Sequence, residues 1–489
     1  MTILDSIRCK NSHSSIRRTK IIATAGPASS SPERIRQLIE AGVNVFRLNF
    51  SHGTHDRHLE VLRSIREISG ELGRPVGVLQ DLSGPKIRIS EVDETAAQLR
   101  DGQKVEICHD SGARSSNSRI FVQTIDPAAV LKPGHQVLMA DGLISLRTEE
   151  VRGNCALCVV EKASRLRSHV GIAFPDSVVD LPATTDKDLI DLQWGIKHGV
   201  DFAAVSFVRS AQDILRLREI LKQSNSEIQL ISKIERKDAL DNVHELMDVS
   251  DGIMVARGDL GLELPLECLP IVQKALIRHA NFRGIPVIVA TQMMHSMITS
   301  VRPTRAEVSD IAAAVMTGAD CLMLSEETAI GEHPLECVKY LNRIALEAEN
   351  DYMSGDFKLA LRDSDRASIT DAAAYAAVAA ASKIRAAALV VRTESGYSAR
   401  LMAKYRPTQP IYGVSSHPDS LRRMAIYWGV TPLACTYSTL IEEIRGSLSA
   451  IQAMQNPPKG STAVITGNFS KRAPAATTLL DIREFESGV

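Results

Sequence analysis

At 489 residues the chain has room for about three domains, and its 44% hydrophobic and 24% charged content is ordinary for a folded, water-soluble protein. A formal net charge of -1 offers no field of one sign, which argues against a dedicated binder of nucleic acid or of an anionic membrane. The amino-terminal MTILDSIRCKNSHSSIRRTK lacks the apolar core of a signal peptide, and no apolar run is long enough to span a bilayer, so a cytoplasmic location is expected.

The first strand-like run, KIIAT, ends at Thr24. A helix should follow, with Ser31 as N-cap, Pro32 in the first turn, Ile35, Leu38 and Ile39 on the buried face, and Gly42 past its end. VNVFRLNFS is the second run and brings Arg47, Asn49 and Ser51 to its end. His52, His55 and His58 then stand three residues apart, a spacing that converges only partly on a helix, so no zinc site is expected and His55 and His58 read as surface helix histidines. VGVLQDLSG, the third run, delivers Asp81.

From Lys86 to Pro182 the composition changes to short alternating runs (KVEIC, RIFVQTI, QVLMA, LISLRT) between Gly, Pro and Asp turns. This reads as a small all-β domain inserted after the third strand, with Asp141-Gly142 as a hairpin signal, placed to close over the rim and exclude water. The 8 cysteines are scattered, so reduced thiols are expected. Cys155 and Cys158 form a CxxC, but no second pair accompanies it and it lies in the strand-like CALCVV.

Five further apolar runs follow. DFAAVSFV ends near Ser206 and Arg209, and IQLISKI presents Lys233 and Glu235 two residues apart, on one face of a strand. A helical stretch with Leu240, Val243, Leu246 and Met247 on one side leads to GIMVARGD, which ends in Arg257, Gly258 and Asp259. PVIVATQM closes on Thr291 and Gln292, and ADCLMLSEET on Ser325 and Glu327. Eight near-continuous apolar runs alternating with amphipathic helices predict an α/β fold, a (β/α)₈ TIM barrel. In such a barrel the active site lies at the carboxyl ends of the strands, where this set of polar groups converges. Residues 351–367 read as a polar linker to a carboxyl-terminal α/β domain. The expected division is 1–85 and 183–350 for the barrel, 86–182 for an inserted β-barrel lid, and 351–489 for a regulatory domain. Within the last, Thr393-Glu394-Ser395-Gly396-Tyr397-Ser398 lies between strand and helix, either an anion cradle or a plain helix cap.

Two carboxylates on rigid strands, Glu235 and Asp259, suit Mg²⁺, which takes one or two protein carboxylates and fills its octahedron with water and substrate oxygens. Lys233 beside such an ion suits stabilisation of a phosphoryl group or an enolate. The bland alternative is a buried Lys–Glu–Asp ion network.

The stretches KIIATAGPAS, RLNFSHGTH, DLSGPKIR, DLPATTDKD, ISKIE, DGIMVARGDLG, PVIVATQM, RPTRAE and ADCLMLSEETA together resemble the pyruvate kinase family, in order and over essentially the whole chain. The resemblance implies the same three-part fold and Mg²⁺-dependent phosphoryl transfer (Mn²⁺ as an alternative) from phosphoenolpyruvate to ADP, giving pyruvate and ATP. It implies that Glu235 and Asp259 hold the metal, Lys233 neutralises the migrating phosphoryl group and the enolate, and Arg47 grips the phosphate. Gly258, Asp259 and Thr291 would seat the substrate carboxylate, and Asn49, Ser51, His52 and Arg88 would line the nucleotide side. Thr291 and Ser325 are candidates for the route by which the enolate gains its proton, and a homotetramer is implied as well.

The chain departs from the commoner family pattern at several positions. Lys86 stands where many members carry a glutamate and need K⁺; Leu82 and Ile89 replace threonines of that version, so no K⁺ requirement is expected. Glu394 replaces a lysine of members activated by fructose 1,6-bisphosphate, so no activation by that ligand is expected. Thr393, Ser395 and Ser398 could still take one phosphate, of a sugar monophosphate or nucleotide, under a loop at Asn468–Arg472 that carries Lys471 and Arg472. His295 and Glu326 also differ from the usual residues. Two other readings are a non-catalytic metabolite-sensing paralogue and a barrel lyase or aldolase acting on a keto acid. The intact Lys233, Glu235, Asp259, Arg47 and Thr291 set disfavours the first, and the nucleotide-side residues and lid disfavour the second.

Overall fold

A computed structural model of the chain describes residues 16–110, 112–140, 142–177, 179–354, 368–435, 439–467, 477 and 479–485. Three strands come first: β1 (Lys20–Thr24), β2 (Val45–Asn49) and β3 (Gly77–Asp81). Between β1 and β2 lies the helix Pro32–Glu40, as the sequence predicts: Ser31 Oγ accepts from Arg34 N at 3.2 Å, and Ile35, Leu38 and Ile39 are buried.

The inserted unit holds β4 (Lys104–His109), β5 (Arg119–Val122), β6 (Gln136–Met139), β7 (Ile144–Arg152), β8 (Cys155–Lys162) and β9 (Ile172–Ala173). They form one six-stranded sheet in the order β5-β4-β8-β7-β6-β9. Ile89 bridges Val122 of β5 while Arg88 bridges Gly171 beside β9, so the entering chain ties one edge to the other and curls the sheet around its own core. β6 and β7 pair antiparallel with Met139 opposite Ile144, forming the expected hairpin; its turn residue Asp141 lies outside the described residues.

One expectation fails here. Cys108 and Cys155 stand directly opposite each other across β4 and β8, with Cα atoms 4.2 Å apart, and are joined by a disulfide. The two members of the CxxC cannot meet, because residues three apart on a strand face opposite ways. Cys158 turns into the core, fully buried, against Thr148.

The chain then returns with β10 (Phe202–Val205), β11 (Gln229–Ile234), β12 (Gly252–Ala256), β13 (Val287–Ala290) and β14 (Cys321–Leu324). Eight parallel strands close into a barrel in the order β1-β14-β13-β12-β11-β10-β3-β2. β10, β12, β13 and β14 are buried at every residue, which is why their sequences are continuously apolar rather than alternating. The helical stretch after Glu235 is two short helices, Lys237–Asp241 and Val243–Val249, meeting at Asn242 rather than one.

The helix Pro334–Ser354 runs past residue 351, where the polar linker was expected to begin. Beyond it, β15 (Ala388–Arg392), β16 (Ile411–Ser415), β17 (Val430–Ala434), β18 (Thr462–Gly467) and β19 (Leu479–Glu484) form a sheet in the order β17-β16-β15-β18-β19, with only β18 and β19 antiparallel. Apolar side chains of this unit, Met402, Met424 and Tyr427 among them, share one core with inward residues of the barrel such as Ile22, Val45 and Phe202. That packing covers the amino-terminal end of the barrel and leaves the carboxyl end open toward the inserted sheet. Among the described residues no helix is long and apolar enough to cross a membrane.

Candidate active site

The carboxyl ends of the strands carry a chain of alternating charges. The Lys233 ammonium on β11 donates to Ser206 Oγ at 2.7 Å and stands 2.8 Å from Glu235 Oε1 and 3.3 Å from Asp81 Oδ1. Asp81, at the end of β3, takes Arg47 Nε at 2.6 Å, and Arg47 Nη1 reaches Thr24 Oγ1 at 3.1 Å. Lateral strand register makes this possible: Asn49 of β2 lies opposite Asp81 of β3, which lies opposite Ala204 of β10. Lys233 and Glu235 share a face of β11 and its exit, as their spacing predicts.

Burial sets the electrostatics. Desolvation alone would raise the Asp81 carboxyl, but Lys233 and Arg47 outweigh it and hold it below the usual carboxylate range. Burial would likewise strip the Lys233 proton, and Asp81 and Glu235 reverse that, holding the ammonium firmly charged. Glu235 goes the other way. Its burial, with the Asp259 charge added, pushes it above the usual range despite Lys233 and a 2.7 Å hydrogen bond from Phe207 N. A buried acid whose proton affinity is raised beside a second carboxylate forms a seat for a further cation.

Asp259 lies in the short helix Arg257–Glu263 that follows β12, and its Oδ1 takes the Lys86 ammonium at 3.0 Å. Lys86 enters from the start of the inserted unit over Gly171, where a Cβ would come within 3.0 Å of Lys86 Cε. The hinge is equally close-packed: Gly84 (φ 65°) sits where a Cβ would be 2.8 Å from both Ser206 and Phe207. A cavity of about 70 Å³ between the inserted sheet and the rim is lined by Lys86, Glu235, Asp259, Phe207, Arg209 and Phe174.

Beyond β13 the backbone turns sharply. Thr291 (φ 69°) and Gln292 (φ 52°) both adopt the left-handed region, which a β-branched residue rarely enters. Two groups hold Thr291 there: its Oγ1 accepts from Gly258 N at 2.9 Å, and its carbonyl takes Arg257 Nη2 at 2.6 Å. Arg257 also pairs with Asp310 and so pins the Thr291 turn to the next helix. Sequence reading placed Arg257 at a strand end but gave it no role; its position in the same motif as Gly258 and Asp259 was the available signal. Ser325 follows β14 and donates its backbone N–H to Glu327 Oε2 at 2.7 Å, while the other Glu327 oxygen takes Met294 N at 3.0 Å. Buried Glu327 thus fixes two rim loops at once.

The remaining predicted residues lie apart from this charge chain. Asn49 Oδ1 accepts from Ser51 N at 3.2 Å, while Ser51 and His52 are exposed on the loop after β2. His55 pairs with Asp191 at 2.7 Å, and His58 stacks on Phe50 with ring centroids 4.3 Å apart, so both belong to an aromatic cluster with Trp194. Among the described residues no group of three or more His, Cys, Asp or Glu is placed to hold a metal ion. Arg88 reaches His169 O at 2.9 Å, within the inserted unit. His295 and Glu326 face each other on the surface at 3.9 Å.

In the carboxyl-terminal unit each cradle hydroxyl is already engaged within the protein. Thr393 Oγ1 accepts from Gly396 N at 3.0 Å, Ser395 Oγ from Tyr397 N at 3.4 Å, and Ser398 shares a hydrogen bond with Thr477 at 2.7 Å. The loop Asn468–Arg472 lies outside the described residues.

Comparison with known proteins agrees with this architecture. The family model "Pyruvate kinase, barrel domain" matches residues 16–338, and "Pyruvate kinase, alpha/beta domain" matches residues 371–483. A pyruvate kinase of Sporosarcina psychrophila is 41% identical over 96% of this chain and 80% of its own length. One of Dictyostelium discoideum is 38% identical over 95% of the chain and 94% of its own length. One of Clostridium acetobutylicum is 35% identical over 96% of the chain and the whole of its own. With both models matched, and with relatives above 30% identity along nearly the full chain, this protein belongs to the pyruvate kinase family of phosphotransferases.

Proposed function

We propose that the rim moves a phosphoryl group from phosphoenolpyruvate to ADP by placing fixed positive charge where negative charge accumulates. The observation that carries this reading is the Lys233 ammonium, almost buried at 13% side-chain exposure and held by Ser206, Glu235 and Asp81. A charge so fixed needs no reorganisation as the reaction proceeds, and in a water-poor site its field is strong. Lys233 would stabilise the phosphoryl group in flight and the enolate oxygen left behind. Arg47, aligned by Asp81, would grip the phosphoryl oxygens, and the tied Gly258–Thr291 pair would orient the carboxylate.

The residues present fit a divalent cation, because Glu235 and Asp259 repel each other and offer hard oxygen donors suited to Mg²⁺. Bound there, such an ion supplies charge neutralisation at phosphate and enolate oxygens. Lys86 would then swing from Asp259 toward the phosphate and take the place of a monovalent cation. Buried Leu82 and Ile89 offer no side-chain oxygen to K⁺, which supports turnover without it.

A coupled assay of ADP-dependent pyruvate formation tests the assignment. Lys233→Met should keep the fold and lose turnover by on the order of 10²–10³-fold or more, the range for removing one transition-state charge donor. Near-normal turnover would overturn it.

A further inference from the structure

The exposed loop after β2 carries Ser51 and His52 and belongs to neither a strand nor a helix, yet side chains hold its backbone at three points. Asn49 Oδ1 accepts from Ser51 N at 3.2 Å where the strand ends. Lys187, near the start of the helix Asp186–His198, donates from its ammonium to Phe50 O at 2.7 Å. His58, in the first turn of the helix His55–Glu71, donates from Nε2 to His52 O at 2.9 Å. A carbonyl oxygen can only accept, so that contact fixes the His58 proton on Nε2. Burial lowers the His58 pKa, against the opposing His52 carbonyl, and keeps the ring uncharged near neutral pH.

Each donor is itself kept in place. The His58 ring stacks on Phe50, and Gly53 (φ 81°) brings the backbone so close that a Cβ there would lie 3.3 Å from His58 Nε2. Buried Asp191 takes the Lys187 ammonium at 2.5 Å and His55 Nε2 at 2.7 Å. Of the three regularly spaced histidines, one is therefore carried by the loop and the other two belong to the frame that holds it. An exposed loop left free must be ordered when a ligand meets it, and a loop ordered in advance spares that cost. We propose that His58 and Lys187 are positioning residues for the acceptor nucleotide: by holding the His52 and Phe50 carbonyls they fix the loop of Ser51 and His52 in the shape that ADP meets. The inference rests on the reading of the rim as the place where ADP takes the phosphoryl group. The hydrogen bonds of His58 and Lys187 end on this loop and on Asp191, whereas Lys233, Glu235 and Asp81 engage one another, so the handling of phosphoenolpyruvate should not change with their loss.

Steady-state rates of pyruvate formation, with ADP varied at saturating phosphoenolpyruvate and then the reverse, test this. His58→Phe keeps an aromatic ring against Phe50 and removes the donor. It should raise KM for ADP about fivefold, the worth of one neutral hydrogen bond, with KM for phosphoenolpyruvate unchanged. His58→Gln restores a donor and should recover most of that rise. Lys187→Met, a change at an exposed side chain, should raise KM for ADP by at least as much, and it carries the test if His58→Phe does not fold. His198→Ala, which alters the same aromatic cluster at Trp194 without reaching the loop, should leave KM for ADP unchanged. The inference is overturned if the folded variants keep the unmodified KM for ADP, or if KM rises equally for both substrates. It is overturned too if His58→Gln is as impaired as His58→Phe, or if His198→Ala raises KM for ADP as much. A different result, no ADP-dependent pyruvate formation by the unmodified protein, would reject the reading of the rim itself and this inference with it.

Discussion

Lys86 and Lys233 flank one acidic pair, and only one of them was chemically obvious from its neighbours. Lys233 and Glu235 share a strand face, so spacing alone brings them together, and the structure sets them 2.8 Å apart. Lys86 and Asp259 are 173 residues apart, and no periodicity foretells their 3.0 Å contact. Nor does spacing reveal that Arg257 holds the strained Thr291 turn, or that Glu327 ties the Ser325 loop to Met294, since each contact reaches a backbone atom more than 30 residues away. The Lys86 contact gives a sharp expectation. With K⁺ replaced by tetramethylammonium, the initial rate of pyruvate formation should be essentially retained. In Lys86→Glu the site would lose its positive charge and gain a third acid, and activity should become K⁺-dependent. Collapse of the unmodified protein's rate without K⁺ would reject the substitution of ammonium for metal.

At the level of elements, barrel strands and amphipathic helices were readable because each buries a face set by its own period. Helix Pro32–Glu40 and its Ser31 cap follow the sequence pattern directly. Pairing between strands was not readable, and the Cys108–Cys155 disulfide shows why. The link depends on β4 and β8 being antiparallel neighbours in one register, a decision made by the whole inserted sheet. Peptide mapping without reductant should find these two cysteines joined. With the two cysteines 47 positions apart in sequence, reduction should destabilise the inserted unit by about 2–4 kcal/mol, seen as an earlier melting step. Recovery of both as free thiols from an unreduced, blocked sample would refute the link.

On the scale of the molecule, the carboxyl-terminal unit is fastened to the barrel by buried polar contacts as well as by a shared apolar core. Arg406 reaches Asp320 at 2.9 Å, and Glu349 accepts from the backbone of Arg18 and Thr19. Lys20, the first residue of β1, donates to Val430 O at 2.7 Å across the junction. Burial there lowers its pKa from 10.5 to about 8, aided by the Arg17 charge. Between these values the folded protein has released the proton while the unfolded chain still holds it. Folding stability carried by Lys20 therefore rises with pH across that window and is flat below it, by roughly 3 kcal/mol in total. Comparing melting temperature against pH for the protein and for Lys20→Met checks this: the variant should lack that rise. Equal slopes would show that the ammonium is not buried against the junction. Sequence by itself determined the strand count, the alternation with helices, the inserted β unit and the residue types at each strand end, because apolar period and turn chemistry are local. Only the tertiary structure decided which of those ends meet, which cysteines join, and how the carboxyl-terminal unit seats on the barrel. Those outcomes depend on strand register and on packing between units, and neither is encoded within any one segment.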